Sequence, residues 1–274
     1  DMGLATMMLF GVVMAVLAVT QTISREIESQ TVGAILSKPV GRLMFVLAKF
    51  LGVTGAMAVA IYLLSVVLLT VLRIGVPSRA DFAMDWPALC ALTAPFVLAC
   101  IVGAYCNYFY RLSFPSTAVL AAVPLYALGI GVLLLIGRYW QFDVIPPVFA
   151  ERHAAQVAKA AVLVWLAVWV VSSIALAAST RLNVLLNAIL CLTVFFVGMI
   201  SQFLFGQFAE TSGAAWLASH AVPNLHYFWV GDKLMQELPF IPIPYVGMAA
   251  VYAAGYCATM VMLAAFLFER REVA

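Results

Sequence analysis

The chain has 274 residues, of which 66% are hydrophobic and only 9% charged, with a net charge of +2. Soluble domains carry about 25% charged residues and aqueous nucleic-acid binders carry a basic stripe. A soluble enzyme, a disordered chain and a DNA or RNA partner are therefore excluded, and an all-α polytopic membrane helix bundle remains.

A membrane span needs about 20 mostly apolar residues. Seven candidates follow in order, at 3–22, 43–72, 88–107, 116–137, 160–179, 183–205 and 246–268. Residue 1 is Asp, and the chain enters the first span with no basic leader, which predicts a missing span upstream. The polar loop 23–42 follows. In it Thr31 is set to cap a short helix that Pro39 stops, with Glu28 before it and Lys38 near its end. Those charges suit the two ends of a helix dipole. Gly52, Gly55, Pro95, Pro124 and Gly129 lie inside spans, where membrane helices tolerate them. The stretch 138–159, with Pro146 and Pro147, reads either as an outer loop carrying a short interfacial helix or as a cytoplasmic segment, in which case 88–107 and 116–137 are to be read differently. The segment 206–245 is too apolar for a loop in water and too broken to cross. Its Trp216, Tyr227, Phe228 and Trp229 are residue types that settle at headgroup depth. It is expected to form short interfacial or re-entrant helices, with at least one over 210–235 lying between the last two spans. With no repeat or linker visible, 1–274 reads as one transmembrane domain.

Basic residues set orientation. With the loop 23–42 in the cytosol, the short inner segments hold Arg25, Lys38, Arg42, Arg111, Arg181, Arg270 and Arg271, with Lys49 at the membrane edge. The longer outer segments hold Arg73, Arg79, Arg138, Arg152, Lys159 and Lys233, so their density is lower. Residue 1 is then outside and the C-terminal ERREVA inside. Among the acids, Asp81, Asp85 and Asp143 also fall in outer loops.

From Ser24 to Gly52 the chain reads SREIESQTVGAILSKPVGRLMFVLAKFLG. This run, with Glu26, Glu28, Thr31, Leu36, Ser37, Lys38, Pro39, Val40, Arg42, Phe45, Lys49, Phe50 and Gly52 at the pattern positions, resembles the ATP-binding-cassette (ABC) type-2 permeases. The first apolar run, the segment AVPNLHYFWVGDKL and the tail FLFERREV are similar to the matching parts of that family. The resemblance implies the membrane subunit of an ABC transporter. The loop would be a coupling helix docked in a separate cytosolic ATPase, with Glu26, Glu28, Thr31, Leu36, Lys38, Pro39 and Arg42 at the contact. It also implies an exporter working by alternating access as a homodimer or heterodimer of permeases in the plasma (inner) membrane of a bacterium. Trp216, Tyr227, Phe228 and Trp229 would close its outer gate. The family has six spans; seven here with one more upstream make eight, and the surplus pair is expected within 88–137.

The chain has no Walker A pattern, so ATP and magnesium belong to the partner ATPase, and no cofactor or metal is expected here. The five cysteines lie in or beside apolar runs and read as small hydrophobes; His153, His220 and His226 have no ligand spacing. The span interiors hold no acid, Arg or His. Their polar residues, among them Thr54, Thr93, Ser172, Ser173, Asn187, Thr193, Ser201 and Thr259, read as back-bonding or packing groups. An apolar interior suits a lipid-like substrate. The competing readings are a membrane-embedded enzyme, for which His153 with Glu151, or His220 and His226, would serve, and an ATP-independent carrier.

Overall fold

Backbone polar groups inside a bilayer have no water to bond, so a chain this apolar satisfies them within helices. The computed structural model describes residues 2–28, 42–74, 84–142, 154–206, 222–234 and 240–269. Its long helices are α1 (Met2–Glu28), α2 (Arg42–Ile74), α3 (Trp86–Tyr110), α4 (Phe114–Leu133), α5 (Ala154–Ser179) and α6 (Val184–Gly206). A 3-10 turn (Leu225–Phe228) and the short α7 (Gly231–Leu234) precede α8 (Ile243–Glu269). Among the described residues seven helices are long and apolar enough to cross a membrane, one for each span expected. The chain is an all-α, multi-pass membrane protein.

Three boundaries differ from the expected ones by four residues or more. Helix α1 runs on through Glu28, because nothing between Thr22 and Glu28 breaks a helix and its Arg, Glu and Gln neighbours favour one. Helix α4 stops at Leu133 rather than 137. There the Gly137 N–H donates to the Gln141 carbonyl at 2.8 Å, and a single bridge joins Ile136 to Phe142. Helix α5 begins at Ala154, so Lys159 is helical instead of lying in an outer loop.

The chain divides into two compact units, Tyr62–Ala158 and the remainder, Asp1–Ile61 with Lys159–Ala274. Both divisions fall inside helices, α2 and α5. In the larger unit α5 is the core: 83% of its membrane-length window is buried. Its Ala, Val and Ser side chains let neighbours approach closely. Gly11 of α1 shows how closely, since a Cβ there would lie 2.9 Å from Val168 Cγ2. Asn187 of α6, fully buried, ties three helices together. Its amide donates to Thr20 Oγ1 of α1 (2.7 Å) and to the Ala175 carbonyl of α5 (3.1 Å), while Cys191 Sγ donates to its carbonyl oxygen.

Other polar side chains in the spans serve their own helices. Thr54, Thr93, Ser172, Ser173, Thr193, Ser201 and Thr259 each donate to a carbonyl three or four residues earlier. Cys191 and Cys257 are buried, and none of the five cysteines is joined in a disulfide.

The smaller unit pairs α3 with α4. The Tyr126 hydroxyl donates to the Leu92 carbonyl and the Tyr62 hydroxyl to the Val123 carbonyl, each at 3.1 Å. One end of the unit is held by a buried ion pair. Arg73 and Asp85, placed in solvated outer loops by the sequence reading, are buried, their side chains 1% and 2% exposed. Arg73 Nε donates to Asp85 Oδ2 at 2.9 Å, and its other nitrogens donate to the Leu133 and Ile136 carbonyls at 2.6 and 2.8 Å. Asp85 Oδ1 also accepts from the Ala88 N–H at the start of α3. Both charges can leave water because their hydrogen-bonding capacity is met on several sides.

Candidate functional site

The pattern Ser24–Gly52 straddles two membrane-length helices. Glu26 and Glu28 are backbone positions in the last turns of α1, and Arg42 is the first residue of α2. Thr31, Leu36, Lys38 and Pro39 lie outside the described residues, as does Trp216. Helix α1 thus ends inside the expected loop 23–42, and α2 begins at its last residue.

The later pattern residues Lys49, Phe50 and Gly52 lie on two grooves beside the first turns of α2. Successive positions on a helix point 100° apart, so neighbours in sequence serve different faces. Lys49 and Gly52, with Ala48, Val53 and Ala56, meet Ala18 and Thr22 of α1 around a cavity of about 520 Å³. Phe50, with Leu43, Leu47 and Leu51, meets Trp169 of α5 and Cys257 and Val261 of α8 around an almost wholly apolar cavity of about 360 Å³. Phe50 stacks on Trp169 with the ring planes 2° apart and the centroids at 6.2 Å; Trp169 stacks on Trp165 at 5.4 Å. The indole N–H groups of Trp165 and Trp169 are buried without a hydrogen-bond partner among the described residues. The sequence reading did not single out this aromatic ladder; the spacing of Trp165 and Trp169, one helical turn apart, is the one signal that could have found part of it.

The residues read as an outer gate divide by burial. Phe228 is fully buried, Tyr227 is 45% exposed, and Trp229 is half-buried. Asn224 opens the 3-10 turn by accepting the His226 N–H on its side chain, and its own N–H donates to the Tyr252 hydroxyl of α8. The Tyr245 hydroxyl donates to the Tyr227 carbonyl at 2.6 Å. On the other side the segment presses on α6: a Cβ on Gly198 would lie 2.7 Å from the Pro223 carbonyl oxygen. So 222–234 is seated between α6 and α8. Lys159 of α5 joins this cluster by donating to the Ile241 carbonyl at 2.8 Å.

Among the described residues no group of three His, Cys, Asp or Glu side chains is arranged to hold a metal ion. Of the side chains weighed for an enzyme, His153, Glu151 and His220 lie outside the described residues. Comparison with protein-family models, curated proteins and solved structures gave no match to this chain.

Proposed function

We propose that this chain is the membrane permease subunit of an ABC transporter, an exporter that alternates access as a dimer and is driven by a separate cytosolic ATPase. The observation that carries the reading is the pattern Glu26–Gly52, with its E-x-E, Ser37-Lys38-Pro39 and Lys49-Phe50 elements, running from the end of one membrane-length helix into the next. A docking element between spans must be held at both ends to transmit a pull. The continuous helix through Glu28 and the start of α2 at Arg42 supply such anchors. Tyr62–Ala158, which contains the α3–α4 pair taken as surplus to the six-span family plan, is a compact unit of its own. That supports the resemblance by leaving the other spans closer to the family's number.

In this reading ATP binding closes the ATPases, and the closure is passed through 29–41 to α1 and α2. The chain itself does no chemistry. The test is co-purification with the ATPase encoded beside it, followed by ATPase stimulation in liposomes. Glu28→Lys combined with Lys38→Glu is expected to leave insertion intact and to remove coupling. Intersite coupling is typically worth roughly 1–3 kcal/mol, about 5–150-fold in response. Wild-type stimulation in the double variant, or no associated ATPase, would overturn the reading.

A further inference from the structure

We infer that the α3–α4 hairpin is a lipid-facing anchor whose two aromatic ends lie in the two headgroup layers of the bilayer, the buried Arg73–Asp85 pair fixing the depth of one of them. The inference is independent of transport. It starts from the large side chains that the hairpin leaves exposed. At one end these include Trp86, Tyr139 and Trp140; at the other, Tyr105, Tyr108, Phe109 and Tyr110; each is 52–81% exposed. Between the two ends the exposed large side chains are aliphatic or Phe, such as Phe96, Ile101, Leu120 and Leu128. The Tyr126 hydroxyl, in mid-span, is spent on the Leu92 carbonyl. By contrast the hydroxyls of Tyr108, Tyr110 and Tyr139 and the indole N–H groups of Trp86 and Trp140 bond no described residue. The ends thus offer ring surface and hydrogen-bonding capacity together, and the middle offers neither Trp nor an open hydroxyl.

Spacing identifies the occupant. Helix α4 has 20 residues and is about 30 Å long, the thickness of the hydrocarbon core. Trp86 and Tyr110 are the first and last residues of α3, about 36 Å apart, so they lie just outside that core. Trp and Tyr at such depth set their rings against hydrocarbon and their polar edges against water and phosphate. Arg111, exposed, follows α3 in the left-handed region (φ 55°) and adds a cation at the same end. A single protein partner fits less well. Tyr108, Phe109 and Tyr110 are consecutive, so they project about 100° apart around α3. A surrounding lipid layer contacts all of that spread, and one flat face does not. The opposite end is held by the ion pair. Asp85 precedes Trp86, and the Arg73 that it binds also holds the Leu133 and Ile136 carbonyls. Those carbonyls form the base of the turn that carries Tyr139 and Trp140, closed by the Gly137 N–H on the Gln141 carbonyl. One buried guanidinium thus ties the start of α3 to the aromatic turn.

The test is tryptophan fluorescence of the full chain in vesicles of phosphatidylcholine brominated either near the headgroup or at the chain end. Trp140 is read as the difference between the wild type and Trp140→Phe. Its emission should be quenched by bromine near the headgroup and should lose that quenching with bromine at the chain end. Tyr108→Trp, read as the signal it adds, should behave alike. Phe96→Trp, about 15 Å along α3 from Trp86 and at an exposed position, should reverse the order, since it faces the bilayer centre. Arg73→Lys leaves a charge for Asp85 but not the planar fork that reaches several acceptors. It should remove the depth preference of Trp140 and leave that of Phe96→Trp intact; if it fails to fold, Arg73→Leu with Asp85→Leu makes the same comparison. The inference is overturned if neither lipid quenches Trp140 or Tyr108→Trp, which would put them in water or under a protein partner. It is also overturned if chain-end bromine quenches them best, if Phe96→Trp follows their order, or if loss of the clamp leaves the Trp140 profile unchanged.

Discussion

Removing Asp85 should unfold the smaller unit more easily than any exposed substitution does. Asp85→Ala deletes the carboxylate that accepts from Arg73 at 2.9 Å and from the Ala88 N–H at 3.0 Å. Both charged side chains are at most 2% exposed, so water cannot replace the lost partner. Stripping one member from a buried pair costs about 3–5 kcal/mol, and loss of a helix cap about 1 kcal/mol. Arg73 keeps its bonds to the Leu133 and Ile136 carbonyls, which offsets part of this. The net loss should therefore be about 3–4 kcal/mol, inside the range for a broken buried pair. Asp85→Asn separates the contributions, because Asn still caps a helix but carries no charge; it should recover only the roughly 1 kcal/mol of the loss that belongs to the cap. Arg73→Leu with Asp85→Leu should cost less than the sum of the two single changes, with a coupling of roughly 2 kcal/mol. The assay is reversible unfolding in mixed micelles followed by circular dichroism. Arg181→Ala, which removes an exposed bond to the Leu267 carbonyl, is the reference and should cost less than about 1 kcal/mol. If Asp85→Ala matches that reference, the pair contributes nothing and the burial argument fails.

Single cysteines at Ser37→Cys and Ser78→Cys, in an otherwise cysteine-free chain, should label from opposite sides of the membrane, and Arg271→Cys should behave like the former; labelling of all three from one side would remove the basis for a cytosolic coupling loop. Gly198→Leu should dislodge 222–234 from α6, costing about 1–3 kcal/mol, visible as faster proteolysis after 220; unchanged proteolysis would mean the segment is held elsewhere. Phe228→Ala should lower expression, since a buried Phe truncated to Ala costs about 3–5 kcal/mol, whereas Trp229→Ala should lower transport more than expression; equal losses in both variants would deny the segment a gating role.

Much of this protein is determined before any tertiary contact forms. Seven apolar runs of spanning length force seven helices, because unpaired backbone groups cannot be left in hydrocarbon. The polar segment after α1 was visible as a break between two such runs, and the Thr and Ser side chains within spans were legible as back-bonding groups because a nearby carbonyl is always within reach. What hydropathy could not decide is which helix lies inside. Helices α5 and α6 are equally hydropathic, yet 83% of the α5 window is buried and only 28% of that of α6. Hydropathy measures escape from water, and lipid tails are as apolar as a protein core, so it cannot distinguish a lipid-facing side chain from a packed one. The same limit hid the motif's division. Lys49, Phe50 and Gly52 are three positions of one pattern, but only the arrival of α1 on one side and of α5 and α8 on the other makes them parts of two different grooves. It also hid the ion pair. A charge near a helix end is read as solvated, and only tertiary structure brings the Leu133 and Ile136 carbonyls, 60 and 63 residues along the chain, to the Arg73 guanidinium that they keep out of water.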